Sequence, residues 1–466
     1  MSKNNHKFPS QQNLKEIFNF YKNKQYEEAE RLAKLITKQF PKHSFSWKIL
    51  GEIFRKKQKL SESLKANQTA LEINSQDHET FNNLGLTLGE LGKLEDAQIS
   101  FQKAIELKSD FGEAHSSLGV ILKELGKLED AQISFQKAIE LKSNLPDTYY
   151  NLGKIFYLYK DYQRAADNFL LSNNQKSKIE LLKCKFKLND KKGFYNQLDY
   201  LIDKNEVNAV IGSLIYRSKI KYNINRRNPF CNDPIKYLYK TDLTEKYDFQ
   251  NIFVKTIKNI LDISNISIKD QNLLTNGIQT SGDILKQNNN FMNEIKKIIY
   301  TEVENYRAHF INSNEGFIKN WPTSYNISAW IISMKNGGKL KAHMHDSGWL
   351  SGSIYINVPP KSEANSGNLV ITTDYDISEI ENEKNKIYSN NIIYKFLHYI
   401  KLGISKLFVF NAKKTINPSS NEKNQKKIVN VVTGNLCLFP SSLLHYTIPF
   451  KSEEERIVLA FDVKPK

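Results

Sequence analysis

The spacing of hydrophobic residues divides the chain into two parts. Up to about residue 203, apolar positions recur three and four residues apart, which predicts amphipathic helices. From Ser324 onward, short apolar runs alternate with polar residues and are separated by Gly, Pro and Asn. These runs include YNISAWIISMKNGG, SGSIYINVP, GNLVITT, IVNVVTGNLCLFP and ERIVLAFDVKP. Several short strands in succession predict a β-sandwich or barrel, so an all-α part should precede a β domain.

The helical part contains a perfect internal repeat. Residues 90–109, ELGKLEDAQISFQKAIELKS, recur unchanged at 124–143, an offset of 34 residues. The other positions that recur with this offset are the Leu-Gly pairs at Leu50, Leu84, Leu118 and Leu152, the small residues Ala29, Ser63, Ala97, Ala131 and Ala165, and the aromatic residues Phe101, Phe135 and Phe169. Self-similarity at a fixed period indicates stacked repeats of one structural unit.

This pattern resembles the tetratricopeptide consensus, with five repeats across about 11–179 and a degenerate helical cap to about 203. A single helix pair cannot bury its apolar face alone, so such repeats stack into a superhelix. The resemblance implies an extended groove that binds a protein or peptide partner. A scaffold or a dimerisation surface is the alternative interpretation.

The order of the patterns predicts the domain organisation. We expect an N-terminal tail at 1–10, the repeat array with its cap at 11–203 and a C-terminal domain at 204–466. Within this domain, amphipathic segments predict a helical front at 204–320, and the strand-like runs predict a β core at 321–466. A segment rich in lysine and asparagine, 380–429, interrupts the β pattern and is interpreted as an insertion, whether a lid, a substrate loop or neither.

Two histidine motifs in the β part indicate a metal site. His343 and His345 lie two residues apart in GGKLKAHMHD, and residues so spaced on a strand point to the same side. His445 follows a strand and a proline turn in GNLCLFPSSLLH, where a double-stranded β-helix would bring it opposite the pair. Three imidazoles on rigid strands, with open positions left, suit a non-haem divalent metal such as iron(II).

Arg456 lies eleven residues after His445, within the apolar run ERIVLAFDV. A buried arginine needs an anionic partner, and its planar guanidinium fits a carboxylate in bidentate fashion. A dicarboxylate cosubstrate that chelates the metal at one end would supply that carboxylate at the other. The alternative is a strand-end arginine that faces solvent. Tyr355 and Asn326, on strands near the histidine pair, are weaker candidates for cosubstrate contacts.

Residues from about 225 to 466 resemble the bacterial 2-oxoglutarate- and iron(II)-dependent oxygenases that often follow tetratricopeptide repeats. The stretches that carry the resemblance are NPFCNDPIKYL, LLTNGIQTSGDIL, HMHDSGWLSGSIYINVP, GNLCLFPSSLLHYTIPF and RIVLAF. The resemblance implies a double-stranded β-helix, also called a jelly roll, with flanking helices. It also implies iron(II), and 2-oxoglutarate bound by Arg456, but it carries no substrate over to this chain.

The histidine pair departs from the better-known oxygenase pattern, His-x-Asp…His, which supplies two histidines and one carboxylate. In this chain His345 stands at the position of the carboxylate. Either His345 replaces it, which gives a three-histidine site, or Asp346 coordinates the metal from a bend. A regular strand would point Asp346 away from the site, which favours His345.

Three functions compete at this point. The first is a hydroxylase dependent on iron(II) and 2-oxoglutarate, whose repeats recruit a protein or peptide. The second is a cupin-type metal-dependent isomerase or dioxygenase, because G-x5-HxH and G-x5-P-x-S-x2-H resemble the cupin motifs. The glutamate expected shortly after HxH is missing, however, since residues 347–351 contain no acid. The third is a non-catalytic repeat adaptor whose C-terminal domain binds no metal.

Composition restricts partners and compartment. The formal net charge of +17 would favour nucleic acid, but the basic residues are dispersed along a chain rich in lysine, asparagine and isoleucine, so nucleic acid is not an expected partner. The three cysteines, Cys184, Cys231 and Cys437, form neither a metal-ligand spacing nor a disulfide framework. We expect a cytoplasmic protein, because no apolar run approaches the roughly 18 residues of a membrane span and no signal peptide is evident.

Overall fold

The computed structural model describes residues 8–141, 145–262, 268–269, 273–286, 290–373 and 426–466. The chain divides into two compact units, Met1–Gln197 and Leu198–Lys466. Of the expected insertion at 380–429, residues 380–425 lie outside the described residues. No helix in the described ranges is both long enough and apolar enough to cross a bilayer.

The first unit consists of antiparallel helix pairs. The helices are α1 (Gln11–Lys22), α2 (Tyr26–Gln39), α3 (Ser44–Lys56), α4 (Leu60–Ile73), α5 (His78–Glu90), α6 (Leu94–Leu107), α7 (Gly112–Glu124), α8 (Leu128–Leu141), α9 (Pro146–Leu158), α10 (Tyr162–Ser172), α11 (Gln175–Lys187) and α12 (Lys191–Asp203), the last of which begins in the first unit and ends in the second. From α3 to α9 every first helix of a pair begins 34 residues after the previous one, at residues 44, 78, 112 and 146. The helical superhelix predicted from the period is therefore confirmed.

The recurring glycine explains why the two helices of a pair can approach each other. A Cβ on Gly85 would lie 2.8 Å from the ring of Phe101, and the same relation recurs one and two periods later. In the preceding repeat a Cβ on Gly51 would lie 2.7 Å from the side-chain oxygen of Asn67. The Phe101 ring is 1% exposed, and burial of such a ring contributes roughly 1.5–3 kcal/mol. The 34-residue period of the sequence therefore reflects one contact between a glycine and a phenylalanine that recurs in successive helix pairs.

The second unit combines helices with two antiparallel sheets. Its helices are α13 (Ala209–Tyr222), α14 (Thr256–Leu261, preceded by a π-helical stretch Gln250–Lys255), α15 (Asn290–His309) and α16 (Gly316–Lys319). Its strands are β1 (Tyr239–Asp242), β2 (Ile268–Lys269), β3 (Leu274–Thr280), β4 (Tyr325–Leu340), β5 (Leu350–Asn357), β6 (Leu369–Thr372), β7 (Lys426–Val429), β8 (Asn435–Pro440), β9 (Leu444–Thr447) and β10 (Arg456–Pro465).

The strands form the two sheets of a double-stranded β-helix. The larger sheet has the order β1-β8-β5-β10-β4-β3-β2, and the smaller one has the order β7-β6-β9. One hydrophobic cluster joins residues of α15, such as Val303, with residues of the larger sheet, such as Ile354 and Leu459. The helices therefore cover one face of the larger sheet, and its other face is left for the interior between the sheets.

The central strand β10 separates these two faces by alternation. It pairs with β4, where Arg456 lies opposite Met334 and Asp462 opposite Ser328, and it also pairs with β5. Leu459 and its odd-numbered neighbours join the core beneath the helices, while the even-numbered residues from Arg456 to Lys464 line a cavity. This follows from the two-residue period of a strand.

The helical front at 204–320 also contributes strands, which the sequence pattern did not indicate. β1, β2 and β3 lie within it, and all three extend the larger sheet. The first five of the seven residues of β3 are not buried, so its sequence lacks the alternation that marks a half-buried strand. β7 begins inside the expected insertion at 380–429: the strand-like run IVNVVTGNLCLFP contains its last two residues, but its first two, which are exposed, gave no strand signal.

Candidate metal centre and its cavity

Three histidine side chains meet where the two sheets approach each other. Just after β4, His343 forms a β-bridge with His445 of β9, in which each backbone N–H donates to the other residue's carbonyl, at 3.2 and 2.9 Å. His345 follows two residues later. The ring centroids are 4.3 Å apart for His343 and His445, 5.1 Å for His343 and His345, and 4.9 Å for His345 and His445. One nitrogen from each ring lies within 4.8 Å of the other two, as a shared metal ion would need.

The other nitrogen of each ring faces an oxygen of the protein. Each Nδ1 lies near an acceptor: Lys341 O at 2.9 Å for His343, Asp462 Oδ1 at 2.5 Å for His345, and Leu443 O at 3.5 Å for His445. An Nδ1–H that donates to such an acceptor leaves the lone pair on Nε2, which is the usual arrangement of metal-binding histidines. These contacts thus favour the Nδ1–H tautomer in all three rings, in which Nε2 is available for a metal ion.

Burial favours the neutral form of two of these imidazoles, those of His343 and His445. Burial first, and then the neighbouring His345, lower the pKa of His343 to about 4. The pKa of His445 also lies well below its ordinary value, first because the ring is buried and then because the two other histidines are close. Neutral imidazole is the form that binds a metal ion, so the site is ready to bind one at neutral pH.

Arg456 lies deep in the same interior. Its side chain is 2% exposed, its Nε donates to the carbonyl of Gly367 at 3.1 Å, and its guanidinium lies over the ring of Tyr355 at 5.1 Å. Burial lowers the pKa of Arg456 and raises that of the Tyr355 hydroxyl. Within the described ranges no carboxylate forms an ion pair with Arg456. A buried cation without an anionic partner is costly, so the arrangement calls for an anionic ligand.

One cavity of about 600 Å³ contains both features. The three histidines, Arg456 and Tyr355 all line it. Part of the wall is apolar, with Ile332, Met334, Leu340, Val458 and Ala460, and another part carries Gln279, Thr280, Asp283, Ser328 and Lys464. The volume lies within the range of roughly 300–1,000 Å³ that is common for ligand sites.

Two of the residues predicted from the sequence lie elsewhere. Asp346 is exposed in the turn after His345, outside the three-histidine group. Asn326 is exposed near the start of β4, on the same side of the strand as Ser328 but beyond the cavity lining. The structure therefore brings together the three histidines, Arg456 and Tyr355, without these two side chains.

The sequence reasoning overlooked two side chains next to the histidines. Asp462 contacts His345, and the ring of Trp330 lies 5.4 Å from the ring of His345. A signal for Asp462 was present, because a charged residue within an apolar strand at an even spacing from Arg456 must share its face. Trp330 gave no such signal, since aromatic residues are common in strands.

Comparisons with known proteins agree with this geometry. Residues 328–462 match the family described as "Putative 2OG-Fe(II) oxygenase", residues 78–111 match a tetratricopeptide repeat, and residues 119–158 match a TPR repeat. The fold and these matches define a repeat protein with an appended β-helix domain. More specifically, the repeat matches lie within residues 78–158 of the helical part, and the match to the family described as "Putative 2OG-Fe(II) oxygenase" lies within the β domain.

The solved structures that resemble this chain share less than a fifth of its residues in the aligned regions. PilF of Pseudomonas aeruginosa is 17% identical, with 41% of this chain and 88% of that chain covered, at a TM-score of 0.38. PilW, a type IV pilus biogenesis factor, is also 17% identical, with coverages of 41% and 93% and a TM-score of 0.38. A tetratricopeptide repeat protein from Parabacteroides merdae is 16% identical, with coverages of 46% and 86% and a TM-score of 0.37. No curated protein sequence matches the chain.

Proposed function

We propose that the C-terminal domain is an iron(II)- and 2-oxoglutarate-dependent oxygenase, acting as a hydroxylase, and that the repeat array recruits its protein or peptide substrate. The observation that carries the first part is the joint presence, in one cavity, of three convergent imidazoles and a buried arginine without an acidic partner. A metal ion and a dicarboxylate would satisfy both.

The residues present fit iron(II). Each Nδ1 lies near a protein acceptor, so the three Nε2 atoms would be free to bind one ion and would leave its remaining coordination positions open. His343, His345 and His445 would hold the ion, whereas the exposure of Asp346 argues against the alternative ligand set. When bound, iron(II) and 2-oxoglutarate together supply the oxidising chemistry, which consumes oxygen and releases succinate and carbon dioxide.

The residues also fit 2-oxoglutarate. The Arg456 guanidinium would pair with the carboxylate that is distant from the metal, and the Tyr355 ring beneath it fixes its position. The apolar wall around Ile332 and Val458 would exclude water from the reacting centre. Asn326 has no part in this proposal, because it does not line the cavity.

Arg456 also separates the oxygenase from the alternatives. Arg456 is only 2% exposed and has no acidic partner among the described residues. A cupin isomerase or dioxygenase would bind no dicarboxylate cosubstrate, so it would not explain why this guanidinium is buried. A pure repeat adaptor gives no reason for three imidazoles to converge. Both alternatives therefore leave costly buried groups unexplained.

Polar contacts join successive first helices of the array, and one of them bears on the recruitment of a partner. They are Lys48 with Glu79 at 2.6 Å, Ser116 with Thr148 at 2.7 Å, Lys123 with Asn151 at 2.6 Å and Lys154 with Glu180 at 3.1 Å. Lys123 differs from the other two lysines, because its partner is an amide oxygen and no carboxylate of the described chain forms an ion pair with it. A carboxylate of a bound protein segment would complete this contact.

The proposal is tested on anaerobically purified full-length protein. We expect one iron ion per chain by metal analysis and succinate release from 2-oxoglutarate in the presence of oxygen. His445→Ala should lose both, because a buried ligand is missing. His309→Ala is the matched control, since this exposed histidine on α15 lies outside the group and should leave both unchanged. Wild-type protein that binds no iron would refute the proposal.

A further inference from the structure

Asp462 lies directly behind one of the three histidines. Its side chain is 3% exposed, and its Oδ1 lies 2.5 Å from Nδ1 of His345. The same oxygen accepts a hydrogen bond from Oγ of Ser351 at 2.9 Å, and Ser351 in turn contacts Oγ of Ser441 at 2.8 Å. The carboxylate is therefore held by an imidazole and by one buried hydroxyl, that of Ser351, which Ser441 contacts from behind.

The loop that carries His345 is fitted closely over this carboxylate. Gly348 donates its N–H to the carbonyl of His345 at 3.0 Å. A Cβ on Gly348 would lie 2.5 Å from Oγ of Ser441 and 3.3 Å from Oδ1 of Asp462. A side chain at this position would push the loop away, so the glycine permits the contact between His345 and Asp462.

The negative charge of Asp462 has no cationic partner within the protein as described. No lysine or arginine of the described residues forms an ion pair with it, and His345 is its only ion-pair neighbour there. A buried carboxylate without compensation is strongly unfavourable. A divalent ion on Nε2 of His345 would compensate this charge through the imidazole ring.

We propose that Asp462 is a positioning residue that supplies the negative charge of the metal site from behind His345. It holds His345 in the Nδ1–H form and takes over, through one hydrogen bond, the charge that a carboxylate ligand contributes in His-x-Asp…His sites. Ser351 and Ser441 orient the carboxylate for this role. The inference rests on the proposed metal site and adds a residue that does not itself touch the metal.

The test is a titration of the metal-free full-length protein with cobalt(II), followed by visible absorption. Asp462→Asn keeps an oxygen acceptor of the same size but removes the charge. We expect its cobalt affinity to fall by about 10- to 100-fold, as for other partners of metal-binding histidines. The absorption bands should shift but keep their intensity, because all three ligands remain. Glu453→Gln removes the same charge from an exposed position and should bind cobalt like the wild type.

A second measurement separates this role from a structural one. Without metal, removal of an uncompensated buried charge should leave the melting temperature of Asp462→Asn equal to or above that of the wild type. Added cobalt should then stabilise the variant less than the wild type. Ser351→Ala keeps the charge and loses one hydrogen bond, so it should weaken cobalt by only a few-fold.

Several outcomes would overturn the inference. Wild-type cobalt affinity in Asp462→Asn would show that the charge is irrelevant. Complete loss of binding, as in His445→Ala, would make Asp462 a ligand instead of a positioning residue. Should Asp462→Asn fail to fold, unchanged affinity in Ser351→Ala would count against the inference. If the wild type itself binds no divalent ion, the proposed function fails first, and that result is distinct from these.

Discussion

Replacement of Arg456 by alanine removes the buried cation that faces the histidines. Nε of Arg456 donates to the carbonyl of Gly367 and the guanidinium also contacts Tyr355, while no carboxylate of the described residues forms an ion pair with it. A hydrogen bond to a charged group contributes about 1.5–3 kcal/mol in a buried site. At about 1.4 kcal/mol per decade, its loss should weaken 2-oxoglutarate by roughly ten- to a hundredfold.

The assay is isothermal titration of 2-oxoglutarate into anaerobic protein loaded with iron(II). Arg456→Ala should still bind iron, which also shows that the domain is folded. Arg456→Lys should recover only part of the affinity, because a point charge cannot reproduce the planar fork of a guanidinium. If Arg456→Ala binds 2-oxoglutarate as tightly as the wild type, the assignment of Arg456 is wrong and the cupin alternative gains support.

Two further predictions concern pH and domain independence. Burial lowers the pKa of His343 from 6.5 to about 4, so between these values only the unfolded chain binds a proton there, and the metal-free protein should lose stability as pH falls through this window. His343→Gln should flatten that dependence in thermal melts between pH 4 and 7, and an unchanged slope would contradict it. The fragment 198–466 should bind iron(II) like the full chain, because this unit has its own core, but should no longer hydroxylate protein substrates in a cell extract, as mass spectrometry can show.

The parts of the fold that the sequence predicted are those determined by local or repeated contacts. The 34-residue period reports contacts within one helix pair, such as Gly85 against Phe101, so each repeat shows the same signal again. The long strands of the β core have one face toward helices and one toward the cavity, and their apolar runs reveal them. β1 and β2 were missed because they are short, and β3 was missed because five of its seven residues are not buried.

The site divides in a similar way. The histidine motifs and Arg456 were visible because each stands in a distinctive local context, a close pair, a proline turn or an apolar strand. The contact between His345 and Asp462 spans 117 residues and depends on the register of β10 between β4 and β5. No local pattern contains that register, so the partner of His345 could be found only in the folded structure.

The charges that line the cavity lead to a prediction about how its two ligands influence each other. With neutral histidines, Arg456 and Lys464 balance Asp462 and Asp283, so the charged groups of the lining sum to zero. A divalent ion alone would add two positive charges to a largely buried site, and the dianion of 2-oxoglutarate alone would add two negative ones, whereas both together restore neutrality.

Each ligand should therefore bind more tightly when the other is present, and the two factors must be equal because coupling is reciprocal. A coupling of about 1–3 kcal/mol, or roughly 5- to 150-fold, is the usual size of such an effect. Titration of 2-oxoglutarate with and without manganese(II), and of manganese(II) with and without 2-oxoglutarate, measures both factors. Independent binding of the two ligands would mean that they do not share this cavity.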